Sequence, residues 1–528
     1  MKPACFFGAS FVMTLVAVTA SAQPPAEATI FEAVDNFIDT RMAEAQVSPA
    51  PPASDTTYIR RLTLDLAGRI PAVAEVQSYV AAADSDKRGR LVDRLIESAE
   101  FPEYMATRFD WFITAGNGGI RNYLSTAFQE NRGWDQVFRD ILLADLSTDQ
   151  GALDYLKSRV ADTDKLANEV SVTFFGVNIS CAKCHDHPLV ADWTQDHFYG
   201  MKSFFSRTFE NGGYVAERDY GLVSYQTVDG DQRQARLLFL TGKDVTPEDL
   251  SEPNEEERKK AEARFRELKK KEEAPPQPKH SLRRQLAELA LEDGQNHFFA
   301  RAIVNRVWHQ LFGRGLVMPL DQMHTENPPS HPELLTWLAD DFVAHGYDLR
   351  RLIRGLVLSR AYARGSRWEG SQRPPTELFA AAIPRPLTPT QLARSLSLAT
   401  TDQSQLDCEV PNGLQQAVAE AAEARNADRF DQPEDGFQIA ADEALYFTNS
   451  EEFEKQYLHA GLKQQLLNIE DRRQLADNAV WATLCRAADE EELQLLGDYL
   501  TEREDRREQA IEQLIWGLLT SSEFRFNH

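Results

Sequence analysis

The chain has 528 residues, 42% of them hydrophobic, which is enough for two or more packed domains and excludes wholesale disorder. Its 57 Lys and Arg against 82 Asp and Glu leave a formal charge of -25. That balance excludes a nucleic-acid partner, which needs a basic face to neutralise phosphates, and otherwise serves solubility.

Lys2, the apolar run from Ala4 to Val18 and the small residues Ala20, Ser21 and Ala22 have the three parts of a secretory signal, so residues 1–22 are expected to be removed and the mature chain to begin near Gln23 in the periplasm or an equivalent space. The run is short for a membrane anchor, and no later stretch is apolar and long enough to span a bilayer. Loss of Lys2 takes the charge to about -26, and Cys5 leaves with the signal. The four remaining cysteines then lie where disulfides are permitted.

Ile30, Phe31, Val34, Phe37, Ile38 and Met42 recur at helical spacing and predict a first helix, followed by a Pro-rich link at Pro49, Pro51 and Pro52. A second helix carries Ile59, Leu62 and Leu66 and stops at Gly68. Pro71 opens a third with Val73, Val76 and Val80, and Leu91, Val92, Leu95 and Ile96 make a fourth. Helical segments over Tyr104 to Ile113 and Tyr123 to Leu143 bring Trp111, Phe128, Trp134 and Phe138, expected as core anchors. Leu166 to Ile179, as helix or strand, then delivers a cysteine pair.

That pair lies in Cys181-Ala182-Lys183-Cys184-His185-Asp186-His187-Pro188, where two thiols and two imidazoles fall within seven residues. C-x-x-C-H is the attachment signature of c-type haem: two thiols form thioethers on one porphyrin edge and the next His ligates iron. Thiolates with His185 or His187 suit zinc or iron equally well. A plain Cys181–Cys184 disulfide is the third reading, natural in an oxidising compartment. Downstream, Trp193, Phe198, Tyr199, Met201, Phe204 and Phe205 form an apolar wall that could face a porphyrin or be ordinary core.

From Gly212 to Leu240 the texture becomes β: Val223, Tyr225 and Thr227 alternate, Asp229-Gly230 is a hairpin turn, and Leu237 to Leu240 is expected to return as the partner strand. Glu252 to Glu273 is dense in Glu, Lys and Arg, with i,i+4 pairs such as Glu255 with Lys259 that favour a solvated helix or a flexible arm. These signals give a mainly α protein of two helical domains, residues 23–245 and 281–528, with a small hairpin or sheet before a charged linker at 246–280.

In the second half, Asn296 precedes the stripe Phe299, Ile303, Val307 and Leu311, which Gly313 closes. Ser330 and Glu333 read as a capping box for a helix carrying Leu334, Leu335, Leu338 and Phe342. Another helix runs from about Leu349 to Tyr362, an exposed acidic loop lies around Asp428 to Glu443, and Ile511, Leu514, Ile515 and Leu518 build the last helix. Met323, His324 and His331, with Asp321 beside them, border the stiff loop Asn327-Pro328-Pro329 and are candidates to complete iron or zinc coordination across a domain interface. His309 reads as structural, His197 and Asp186 stay open, and Cys408 could pair with Cys485.

Phe174-Phe175-Gly176-Val177-Asn178-Ile179-Ser180 leading into the cysteine motif, with Trp193-Thr194-Gln195 and Phe198-Tyr199-Gly200 after it, resembles the planctomycete cytochrome-c-like domain. Phe298 to Trp308, Phe312 to Val317 and Asn327 to Leu335 resemble the domain of uncharacterised function that habitually follows it, and Leu519 to Phe524 with Phe526-Asn527-His528 fits the same pattern. The resemblance implies export and a motif for haem c on Cys181, Cys184 and His185. The separate amino-terminal haem domain that often accompanies the family is missing, since no cysteine lies between Gln23 and Cys181. The expectation is an exported haem-c redox or electron-transfer protein with an unknown redox partner or extracytoplasmic substrate. Its alternatives are a zinc or iron metalloenzyme, possibly hydrolytic, and a non-catalytic binding module with an oxidised cysteine pair.

Overall fold

The computed structural model describes residues 28–116, 119–144, 150–292, 297–406 and 441–528, together with Val418. The expected signal segment, Asn296, Cys408 and most of the acidic stretch after Asp428 lie outside the described residues. The protein is mainly helical, and the sheets among the described residues are three antiparallel pairs of two strands each. Among those residues no helix is long and apolar enough to cross a membrane.

Local sequence explains where the helices begin and end. Ser54 accepts the amide of Thr57 to start the helix Asp55–Ala67, and Gly68, at φ 71°, ends it. That glycine also admits its neighbour, because a Cβ there would lie 2.3 Å from the Tyr104 ring. The expected segment Tyr123 to Leu143 is two helices, Arg121–Gln129 and Trp134–Leu143, broken at Gly133. Trp134, Phe138 and Phe128 are core, as expected. Trp111 is not: it sits at the rim of the buried face of Glu100–Thr114 and is 47% exposed.

One hydrophobic cluster runs from Ile30 to Phe524, so the sequence regions on either side of the charged segment pack together. The helices Thr163–Phe175 and Phe298–Phe312 pack directly, and the rings of Phe138 and Phe299 lie 4.7 Å apart. The last residues, Phe526–Asn527, pair as a strand with Arg385–Pro386, and Arg60 donates to the carbonyls of Glu523 and Phe524 at 3.1 and 2.8 Å.

The β region departs in detail from expectation. Ser224–Gln226 does form a hairpin across Asp229-Gly230, but its partner is Gln232–Gln234. Leu237, Phe239 and Leu240 are instead buried in the core, because a tight turn pairs strands immediately beside it. A second hairpin, Thr208–Asn211 with Tyr214–Glu217, turns at Gly212-Gly213. The charged stretch is a helix, Glu255–Lys271, capped by Asn254, with no buried residue. Its one packed side meets the second hairpin, where the rings of Phe209 and Phe265 lie 4.8 Å apart.

The stripe after Asn296 is the helix Phe298–Phe312, closed by Gly313 at φ 79°. The next helix does not use the Ser330 capping box. It starts at Pro332, with His331 at the cap position, because proline at the first helical position has the required φ and no amide to satisfy. Ser330 Oγ is left beside His331 Nδ1, 3.1 Å away.

Candidate functional site

The cysteine turn is delivered by the helix Thr163–Phe175. Asp162 caps its start by accepting the amides of Asp164 and Lys165, and Leu166, Ala167, Val170, Phe174 and Phe175 are its buried face. Gly176 ends it at φ 66°, where a Cβ would stand 3.0 Å from Met323 Sδ and 3.2 Å from the carbonyl of Leu320. The chain therefore leaves the helix directly beneath a loop from the second half.

That loop is built to be rigid. Asn305, fully buried, exchanges hydrogen bonds with the backbone of Val317 at 2.9 Å each way, and Asn327 Nδ2 donates to the carbonyl of Gln322 at 2.8 Å. The loop then joins the cysteine segment as a short antiparallel contact: Met323 N donates to Gly176 O at 3.0 Å and Asn178 N to Asp321 O at 2.9 Å. Asn178 Nδ2 adds a bond to the Asp321 carboxylate at 3.0 Å, while Asn178 Oδ1 accepts the amide and hydroxyl of Ser180 at 3.1 and 2.7 Å. Asn168 Oδ1 accepts the amide of Ile179 at 3.0 Å.

So anchored, Ser180–Lys183 forms a single 3-10 turn. At three residues per turn, positions i and i+3 lie on one side, which aligns Cys181 with Cys184. Both thiols are free and exposed, while Ala182 between them is buried. His185 is exposed too, and its Nδ1 lies 2.7 Å from the carbonyl of Asp186, which leaves Nε2 toward solvent.

Flanking contacts hold the turn from its other side. The carbonyl of Lys183 accepts the Tyr199 hydroxyl at 3.2 Å and Gln195 Nε2 at 3.4 Å. Lys183 Nζ meets the Asp164 carboxylate at 2.8 Å, and Lys202 Nζ meets it at 2.5 Å. Burial pushes the Asp164 carboxyl up, but hydrogen bonds from Lys183 and Lys202 outweigh it and hold the group below the usual carboxylate range. Asp186 accepts the amide of Gln195 at 2.9 Å, at the start of the helix Gln195–Ser203.

His187 closes a small loop: its amide donates to Trp193 O at 2.8 Å, and its Nδ1 accepts the amide of Leu189 at 3.3 Å. Asp192 in this loop accepts Thr325 N and Oγ1 at 2.8 and 2.7 Å, a second tie to the other half. His324 stands beside it with Nδ1 buried and without a hydrogen-bond partner. Its imidazole is held below the ordinary histidine range by burial, which the nearby His187 reinforces and Asp192 opposes.

Of the candidate ligands, Cys181, Cys184, His185 and His187 thus share one turn and its continuation, and His324 belongs to the loop of the second half that Thr325 ties to Asp192. Met323 lies beneath the turn, packed on Gly176. His331 occupies another neighbourhood, against the ring of Phe379 at 5.7 Å, with its pKa pushed down to about 4 by burial and by the Arg41 guanidinium. Trp193, Phe198, Met201, Phe204 and Phe205 are all buried and are core rather than an open wall.

The residues present fit the attachment half of haem chemistry, with two accessible aligned thiols and an open imidazole next to them. For the zinc or iron alternative, no three His, Cys, Asp or Glu side chains converge into a metal-binding group among the described residues. The positioning residues Asn168, Asn178, Asp164, Lys202, Asp192 and Thr325 were not evident in the sequence. Asn178 and Asp321 are 143 positions apart and Asp192 and Thr325 133, with no local pattern linking them.

Residues 33–210, which include the cysteine turn, match PSCyt2, described as a protein of unknown function (DUF1549). Residues 282–434 match PSD1, described as a protein of unknown function (DUF1553), and include the loop that anchors the turn. No curated protein and no solved structure matches the chain.

Proposed function

We propose that this chain, in which a PSCyt2-like region is followed by a PSD1-like region, is an exported redox protein that carries haem c on Cys181 and Cys184, with His185 as the proximal ligand. The observation that carries the reading is that these three residues share one exposed turn whose backbone is pinned on both sides. When bound, the haem would supply one-electron exchange with a redox partner or an extracytoplasmic substrate.

The chain's own groups have separate parts in this. Cys181 and Cys184 anchor the porphyrin, and Asp186 O, at 2.7 Å from His185 Nδ1, fixes the tautomer that offers Nε2 to iron. Lys183 is tethered to Asp164, and Asn178 with Asp321 prevents the turn from unwinding.

The test is the visible spectrum of the mature protein from its own exporting host. A Soret band that survives denaturation, and a peroxidase-active band on a denaturing gel that Cys181→Ala and Cys184→Ala remove, are expected. A colourless protein containing zinc would replace this reading with a metalloenzyme. A mass two hydrogens short, with Cys181 bridged to Cys184, would leave a non-catalytic module.

A further inference from the structure

Two exposed aliphatic side chains belong to segments connected to the cysteine motif. Leu189 is 82% exposed and Val228 is 64% exposed, the first and third most exposed large hydrophobic side chains among the described residues. Single exposed aliphatics are ordinary and need no explanation. These two are set apart by where they are held: Leu189 lies in the loop that continues the cysteine motif, and Val228 is tied through Gln195 to the carbonyl of Lys183.

Leu189 is fixed through His187, whose Nδ1 accepts its amide at 3.3 Å. Val228 stands at the tip of the hairpin Ser224–Gln226 and Gln232–Gln234, and its amide donates to Gln195 Oε1 at 3.3 Å. Gln195 in turn reaches the carbonyl of Lys183, in the middle of the motif. The hairpin is locked there a second time. Tyr225 stacks on Tyr199 with ring centroids 4.1 Å apart and planes 12° from parallel, the Tyr199 hydroxyl bonds Lys183 O, and the Tyr225 hydroxyl donates to Asp196.

The buried aromatics nearby cannot serve a bound group without unpacking the core, because Trp193, Phe198, Phe204 and Phe205 are already enclosed. A macrocycle anchored on Cys181 and Cys184 therefore needs its apolar cover from surface side chains. Leu189 and Val228 have that surface to give.

Resting on the haem reading above, we propose that Leu189 and Val228 are porphyrin-contacting side chains that close over the macrocycle and exclude water from it. Excluding water disfavours the more highly charged ferric state, so this cover raises the reduction potential.

The test compares Leu189→Glu and Val228→Glu with Leu495→Glu, an exposed leucine 67% accessible on the helix Glu490–Thr501, all as full-length protein purified from the exporting host. Gel peroxidase staining reports covalent haem, a spectroelectrochemical titration reports the midpoint potential, and bleaching by hydrogen peroxide reports access. Expected are unchanged haem content in all three, a lower midpoint potential and several-fold faster bleaching for Leu189→Glu and Val228→Glu, and wild-type behaviour for Leu495→Glu. Haem-loaded variants at 189 and 228 that match Leu495→Glu overturn this inference and leave the haem reading standing. The same holds if they keep potential and bleaching rate but lose electron exchange with a protein partner, in which case the two side chains are a docking patch. Wild-type protein without haem overturns both.

Discussion

At Asp65 both carboxylate oxygens are spent on the fold, whereas around Cys181 the anchoring falls to backbone and flanking side chains and the reactive atoms are left to solvent. The Asp65 side chain is fully buried, and its two oxygens accept Arg385 at 2.7 and 2.9 Å, the Tyr362 hydroxyl at 2.7 Å and Asn527 Nδ2 at 3.0 Å. One carboxylate thereby joins an early helix, the middle of the second half and the C-terminal strand. At the cysteine turn, Asn178, Asp321, Asn168, Tyr199 and Lys183 take the equivalent bonds, and Cys181, Cys184 and His185 take none that hold the fold. A group held in a closed network is costly to change and chemically silent. A group supported from behind can be changed cheaply and can react.

That contrast sets the order of expected effects. Asp65→Ala should be the most damaging, because it strands a buried guanidinium, a phenol and an amide together; a loss of about 3–5 kcal/mol in urea unfolding is expected. A loss under about 1 kcal/mol would mean that the cluster does not bind the segments together.

His331 resembles Asp65 in being buried, and it makes the contrast testable by pH. Its folded pKa of about 4 lies below the ordinary histidine value, so between roughly 6.5 and that value the unfolded chain binds more protons. Stability contributed by the neutral ring is complete above about 6.5 and is lost as pH falls toward 4, on the order of 3 kcal/mol in all. His331→Leu should flatten the pH dependence of the unfolding midpoint in that window. An unchanged slope would place the ring in contact with water.

Asn178→Ala removes the tie to Asp321 and the cap on Ser180, so a cost of about 2 kcal/mol and faster amide exchange over Ile179 to Cys184 are expected. Exchange that speeds up equally throughout the chain would show that the turn is not held locally. The double variant Cys181→Ser, Cys184→Ser should change the stability of the protein without bound cofactor by less than about 0.5 kcal/mol, since both side chains are exposed, while abolishing covalent haem on gels. A larger destabilisation would move the cysteines to the structural side of the comparison.

Legibility in the sequence followed the distance between partners. Gly68 and Gly313 close their helices as read, and Trp134 and Phe138 are core, because caps and apolar stripes depend on residues within a turn or two. Trp111 deceived because a helix stripe specifies a face but not how far the neighbouring element covers its rim. The Ser330 box failed to a local competitor, the proline that starts the helix two residues later. Met323 and His331 were candidates by residue type and proximity in sequence to a stiff loop, and the fold packs one under Gly176 and the other against Phe379.

By itself, the sequence determined the helical character of the chain, the hairpin turn at Asp229-Gly230 and the grouping of Cys181, Cys184, His185 and His187, since each is a matter of neighbours along the backbone. Only the tertiary structure decided that the cysteine segment is clamped by Asp321 and the loop continuing it by Thr325, and that Leu189 and Val228 stay exposed. The two clamps join segments more than a hundred positions apart that bury a common core, and burial on that scale leaves no periodic trace in either segment alone.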